Sequence, residues 1–211
     1  EQLVAVHTIC KLPQIARKCK SRYNEYMHRR KSQTVTWNKL GKTIVLIDAA
    51  NIEKSAKDLG WRIHYGKLKR FFSTRAILLD IAFYTAVFET AKQSVFLSSL
   101  SRRGYRLVTK PLKIINDRAT ARAIRKANFD VEIAVDAMDR MTQYDSLVLF
   151  SGDSDFDYLV RFLRRKAKMV FVVSFRGHIS KELARSADQY IPLTELAGVI
   201  QKNHPGFRRG K

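Results

Sequence analysis

Asp48, Asp130, Asp153 and Asp155 stand where alternating strands and helices would gather them. Asp48 closes the apolar run TIVLID, Asp153 follows DSLVLFSG, Asp155 lies two residues further on, and Asp130 opens DVEIAVDAMDRM. If the runs ending at Asp48 and Asp153 are neighbouring strands, both carboxylates project into one crevice. Asp155 and Asp130 can then reach its rim. Carboxylates brought that close repel one another unless a hard cation joins them. Mg2+ and Mn2+ take oxygen ligands and keep several waters, which leaves room for a phosphate oxygen and an attacking water. The pattern points to a divalent-metal site beside a phosphate backbone.

Each acid also has a plainer use. Asp155 and Ser154 could cap the helix near Phe156, and Asp130 could cap its own helix after Asn128. Asp48 ends a fully apolar strand, where an acid has few structural duties. Asn51 is either a turn residue or the group that holds the loop aiming Asp48. Asp136, about 120° round the helix from Asp130, is either an outer partner of the cluster or solvent-facing. Asp157 could add a ligand or pair with Arg161 on a helix surface.

Competing chemistries find less support. No G-x-x-x-x-G-K-[ST] run occurs, AANIE stands where a Gly-rich dinucleotide loop would follow the first strand, and SGDSDF is not a G-x-S-x-G elbow. His7, His28, His64, His178 and His204 show no metal-ligand spacing. With only Cys10 and Cys19, a disulfide scaffold and a four-cysteine zinc site are excluded.

The elements that must position the acids read as follows. Strands are expected in TIVLID (43–48), AILLDIAFYTAVF (76–88), YRLVTKPLKII (105–115, with Pro111 at its edge or end), DSLVLFSG (145–152) and KMVFVVSF (168–175). Helices are expected at 63–73, 89–104 (closed by Gly104), 130–141 (Val131, Val135 and Met138 inward) and 154–167. Two short helices follow, in ISKELARSAD and TELAGVIQK. Such alternation predicts one α/β domain over 43–200, with a mainly parallel five-stranded sheet, helices on both faces, and ligands at the strands' carboxyl ends.

Charge adds the partner. The 211 residues carry 40 Lys+Arg against 19 Asp+Glu, a net +21, with 45% hydrophobic residues, so a folded core and a polyanionic partner are both expected. A basic, partly helical extension (1–42) and the stretch 101–128 each hold a surplus of eight positive charges, and a basic tail (201–211) follows. Residues 129–160 oppose the trend, with eight acids against Arg140 alone. Arg102, Arg103, Arg106, Lys110, Lys113, Arg118, Arg122, Arg125 and Lys126 are the candidates for contact with a nucleic-acid backbone. No apolar run reaches the roughly 18 residues of a membrane span, so a soluble, cytoplasmic protein is expected.

In order, VLIDAANIE, KANFDVEIAVDAM, SLVLFSGDSDFDYLV and SKELARSADQYIPLTEL resemble the NYN domain, the LabA-like branch of the PIN-like ribonuclease superfamily. The resemblance covers about residues 43–197. It implies a three-layer α/β/α sandwich, an acid cluster binding Mg2+ or Mn2+, and hydrolysis of RNA. By motif, Asp48 and Asn51 match the first-strand pair, Asp130 the aspartate of the DV block, and Asp153 and Asp155 the pair in SGDSD. Asp136 matches a less regular acidic position. Residues 1–42 and the basic stretch 113–128 have no counterpart in these motifs. The resulting expectation is a metal-dependent endoribonuclease, alone, as a homo-oligomer or within a ribonucleoprotein. The alternatives are a non-catalytic RNA-binding module, supported by the charge, and a DNA nuclease of the same metal chemistry.

Overall fold

In the computed structural model, the described residues are 37, 40–88, 90–117 and 122–202. Readings on the arm 1–36, on Arg118 and on the tail beyond 202 lie outside them. Elements below are numbered among the described residues.

The strand β1 (Lys42–Asp48) lies at the middle of the sheet because both of its faces are apolar: every residue after Lys42 is buried. β2 (Ile77–Val87) and then β3 (Arg106–Pro111) extend the sheet on one side. On the other side lie β6 (Ser146–Phe150), β7 (Met169–Ser174) and β8 (Gln189–Pro192). The order is β3-β2-β1-β6-β7-β8, and every pair is parallel. The sheet thus has six strands rather than five. β8 is too short, at four residues, to stand out as an apolar run between two helices.

The third expected strand divides at Pro111. Its second part, β4 (Lys113–Asp117), leaves the sheet and pairs antiparallel with β5 (Arg122–Lys126). Proline lacks the N–H that would continue a ladder.

Helices cover both faces. One face of the sheet (Ile44, Leu46, Ala82, Tyr84, Leu147, Leu149) packs on α4 (Asp130–Asp139), α5 (Asp157–Arg165) and α6 (Lys181–Ser186) through Ile133, Leu159, Leu163 and Leu183. The other holds an aromatic cluster, Phe83 and Phe150 with Tyr65, Phe72, Phe96 and Tyr105. It is covered by α1 (Ala49–Asp58), α2 (Tyr65–Ser73) and α3 (Ala91–Arg102). A short α7 (Ala197–Ile200) lies against α2. After α3, Gly104 takes φ 75°, with Gly104 N–H on Ser101 O and Tyr105 N–H on Leu100 O. This is the left-handed stop expected there.

Two readings are corrected. The helix α1 lies where the sequence pattern predicts no helix, since its buried residues, Ala49, Ile52, Ser55 and Ala56, make only a thin apolar stripe. In α4 the phase is different: Val131, Val135 and Met138 are exposed, while Ile133 and Ala137 face the core. DVEIAVDAMD carries two apolar stripes. The buried one is selected by Phe129, packed on Tyr84, and by Asp136, bonded to the sheet. Among the described residues no helix is long and apolar enough to cross a membrane.

Candidate active site

β1 and β6 are neighbours, so the loops leaving their carboxyl ends meet. Asp48 is the last residue of β1 and is only 8% exposed. Its Oδ1 accepts the Asn51 N–H at 3.2 Å, capping α1, and its Oδ2 accepts the Ser151 hydroxyl at 3.1 Å. The apolar strand end therefore does give this acid a structural duty. Burial pushes its pKa up to about 6, against the two hydrogen bonds, and the nearby Asp130 and Asp153 add to the rise.

Asn51 holds the facing loop. Its Oδ1 accepts the Gly152 N–H at 2.9 Å, and the Asp153 N–H donates to Ser151 Oγ at 3.2 Å. From the other side, the Ser180 N–H donates to Gly152 O at 2.9 Å. Gly152 sits so close to the following loop that a Cβ would lie 1.8 Å from the His178 carbonyl oxygen. Only glycine fits there.

Asp153 accepts the Asp155 N–H at 3.2 Å, capping the 3-10 turn Ser154–Phe156 that leads into α5. The cap is Asp153 itself rather than Ser154 or Asp155, both of which are exposed. Asp130 is the first residue of α4. Asn128 grips it twice, through Asn128 Oδ1 to the Asp130 N–H (2.9 Å) and Asn128 Nδ2 to Asp130 Oδ2 (2.6 Å).

The result is a cluster in which carboxylate oxygens of Asp130, Asp153 and Asp155 all lie within 4.8 Å of one another, with buried Asp48 behind them. Among the described residues no Lys or Arg forms an ion pair with Asp48, Asp153 or Asp155. Hard oxygen donors alone, with a surplus of negative charge, suit Mg2+ or Mn2+.

The other acids lie apart. Asp136 accepts the Tyr84 hydroxyl at 2.5 Å and pairs with Arg106 at 2.9 Å. Asp80 accepts from Arg106 and from Arg140, each at 2.9 Å. This network ties α4 to β2 and β3. Although burial opposes it, the carboxylates of Asp80 and Asp136 hold the Arg106 guanidinium charged. Asp157 pairs with Arg161 at 2.6 Å, on the helix surface.

The basic candidates are spread over the fold. Arg102 ends α3 and Arg103 follows it, just before β3 begins, at the opposite end of the sheet from the cluster. Arg106 is enclosed in the Asp80–Asp136 network. Lys110 pairs with Glu132, donates to Asn128 O at 3.1 Å and lies 5.1 Å from the Phe129 ring centre. It braces the loop that carries Asp130. Lys113, Arg122, Arg125 and Lys126 belong to the β4–β5 hairpin. Ser151, Gly152, Asn128 and Ser180 support the site, and motif reasoning about acids alone passes over them. The glycine in SGDSD, between a buried strand and two aspartates, is the one signal in the sequence that could have found them.

Three comparisons bear on this arrangement. The NYN domain profile matches residues 42–194. "Low amplitude and bright protein LabA" of Synechococcus elongatus is 34% identical over 161 residues, 75% of this chain and 87% of that protein. The crystal structure of a protein of unknown function from Vibrio parahaemolyticus superposes with a TM-score of 0.63 at 23% identity. It covers 76% of this chain and 96% of that one, and so shares the fold. With a profile that spans the residues of the acidic cluster, and with a relative and a fold that agree with it, the chain belongs to the NYN domain family.

Proposed function

We propose that this chain is a metal-dependent endoribonuclease. The observation that carries the reading is the convergence of Asp130, Asp153 and Asp155 within 4.8 Å, beside buried Asp48, at the carboxyl end of a parallel sheet. These acids would hold Mg2+ or Mn2+, which when bound lowers the pKa of a coordinated water and offsets charge on the phosphate. Asn128 orients Asp130, Ser151 and Asn51 orient Asp48, and the Asp155 N–H fixes Asp153. Water attacks the phosphorus in line, the P–O3′ bond breaks, and the proton passes to the leaving oxygen. The products are a 3′-hydroxyl and a 5′-phosphate. RNA in the cytoplasm is the proposed substrate, drawn by the net charge of +21.

Labelled single-stranded RNA incubated with Mn2+ tests the reading. Cleavage is expected, with loss on chelation and in Asp153→Asn, while RNA binding persists. Equal cleavage by Asp153→Asn overturns the site. The charge surplus also favours a second reading, an RNA-binding module without hydrolysis. It predicts tight binding, no cleavage, and indifference to Asp48 and Asp153. Matched DNA strands in the same assay decide between RNA and DNA.

A further inference from the structure

The solvent side of α5 has a composition that neither the fold nor the acid cluster requires. Leu159, Val160 and Leu163 bury the inner side. Outward, residues 158–168 contain Arg161, Arg164, Arg165, Lys166 and Lys168 and no acid. Three of these are engaged: Arg161 with Asp157, Arg164 with Asp188, and Lys168 with the Tyr144 carbonyl. Among the described residues Arg165 and Lys166 form no ion pair.

An aromatic lies among them. Tyr158 is 68% exposed, so its ring is open to a partner. The Arg165 guanidinium carbon stands 5.9 Å from the ring centres of both Tyr158 and Phe162, and Lys166 Nζ stands 5.8 Å from Phe162. The helix places Tyr158 and Arg165, seven positions apart, on one line about 10 Å long. Tyr158 follows Asp155 by about one turn, so this line starts at the acid cluster.

Exposed aromatics interleaved with unpaired cations form the usual platform for single-stranded nucleic acid, because bases stack on rings while phosphates meet the charges. We infer that the outer face of α5 is an RNA-binding surface. Tyr158 stacks on a base next to the acidic cluster, and Arg165 and Lys166 hold the adjoining phosphates. The inference rests on RNA being the polyanion that this chain binds, as proposed above, and names the track by which a single strand reaches the acid cluster.

Fluorescence anisotropy of the full chain with a labelled uridine-rich oligonucleotide in chelator tests it, followed by cleavage kinetics in Mn2+. Tyr158→Ala is expected to weaken binding about tenfold and to raise KM with little change in kcat. Tyr158→Phe, which keeps the ring, is expected to stay within about twofold of the wild type. The double variant Arg165→Glu/Lys166→Glu should reduce the log Kd versus log salt slope by at least about 1.4, about 0.7 for each phosphate no longer neutralised. If the wild type binds and cuts RNA while all three variants match it, this inference falls and the ribonuclease reading stands. If the wild type binds but does not cut, and Tyr158→Ala and the double variant lose binding while Tyr158→Phe keeps it, the inference stands and that reading falls. A wild type that binds no RNA overturns both. Variants that release a protein partner at unchanged RNA affinity overturn the inference too.

Discussion

Burying Asp48 at the end of β1 sets stability against chemistry. Its pKa of about 6, against 3.8 in water, means that the fold favours the neutral carboxyl. As pH rises from about 3.8 through about 6, the metal-free protein loses about 3 kcal/mol through this group. Asp48→Asn keeps the size and an acceptor for Asn51 while removing the charge. At pH 8 it is expected to raise the free energy of unfolding by about 1–3 kcal/mol, measured by urea denaturation without metal. The same variant should lose cleavage, and Mn2+ should raise its Tm less than that of the wild type. In the wild type, the Mn2+ concentration needed for half-maximal cleavage should rise as pH drops through about 6, because protons compete with the metal for Asp48.

At the scale of elements, the loop after β6 is held from both sides, by Asn51 and by the 178–180 loop. Gly152→Ala forces a methyl group against the His178 backbone. It should cost about 3 kcal/mol or more by thermal or urea unfolding and remove activity, although the substitution adds one carbon. Much of this arrangement was legible in the chain: apolar runs ending in Asp48 and leading to Asp153 announced adjacent parallel strands and a shared crevice. What was hidden has physical causes. The phase of α4 depends on Tyr84 and Arg106 reaching Asp136, a choice made 52 and 30 residues away and invisible in a helix with two apolar stripes. The helix α1 buries mostly small residues, so its periodicity is faint. β8 borrows its structure from β7, and Pro111 only revealed its effect once β4 had somewhere else to pair.

The whole molecule uses its cations in two different ways. Some positive charge is spent internally, as at Arg106 between Asp80 and Asp136, where it bolts α4 to the sheet. Arg106→Ala is therefore expected to lower stability by about 1–3 kcal/mol. The salt slope of RNA binding should stay unchanged, as read by anisotropy between about 50 and 200 mM salt. A slope that flattens by one phosphate would instead put Arg106 on the nucleic acid.

The pairing of β1 with β6 also sets a timetable for the nascent chain. Asp48 and Ser151, which share a hydrogen bond, are 103 residues apart. At the usual pace of translation, β1 waits about 5–20 s for its central neighbour. During that interval β1, β2 and β3 can join, but one whole edge of β1 stays unpaired and apolar, ready to recruit another strand. The aspartates meet only when β6 docks on that edge. Any hydrolytic power of this cluster thus arrives in a single step, once β6 has been made and docked, and a ribosome-bound fragment carrying β1 to β5 has the basic stretch without the acid cluster.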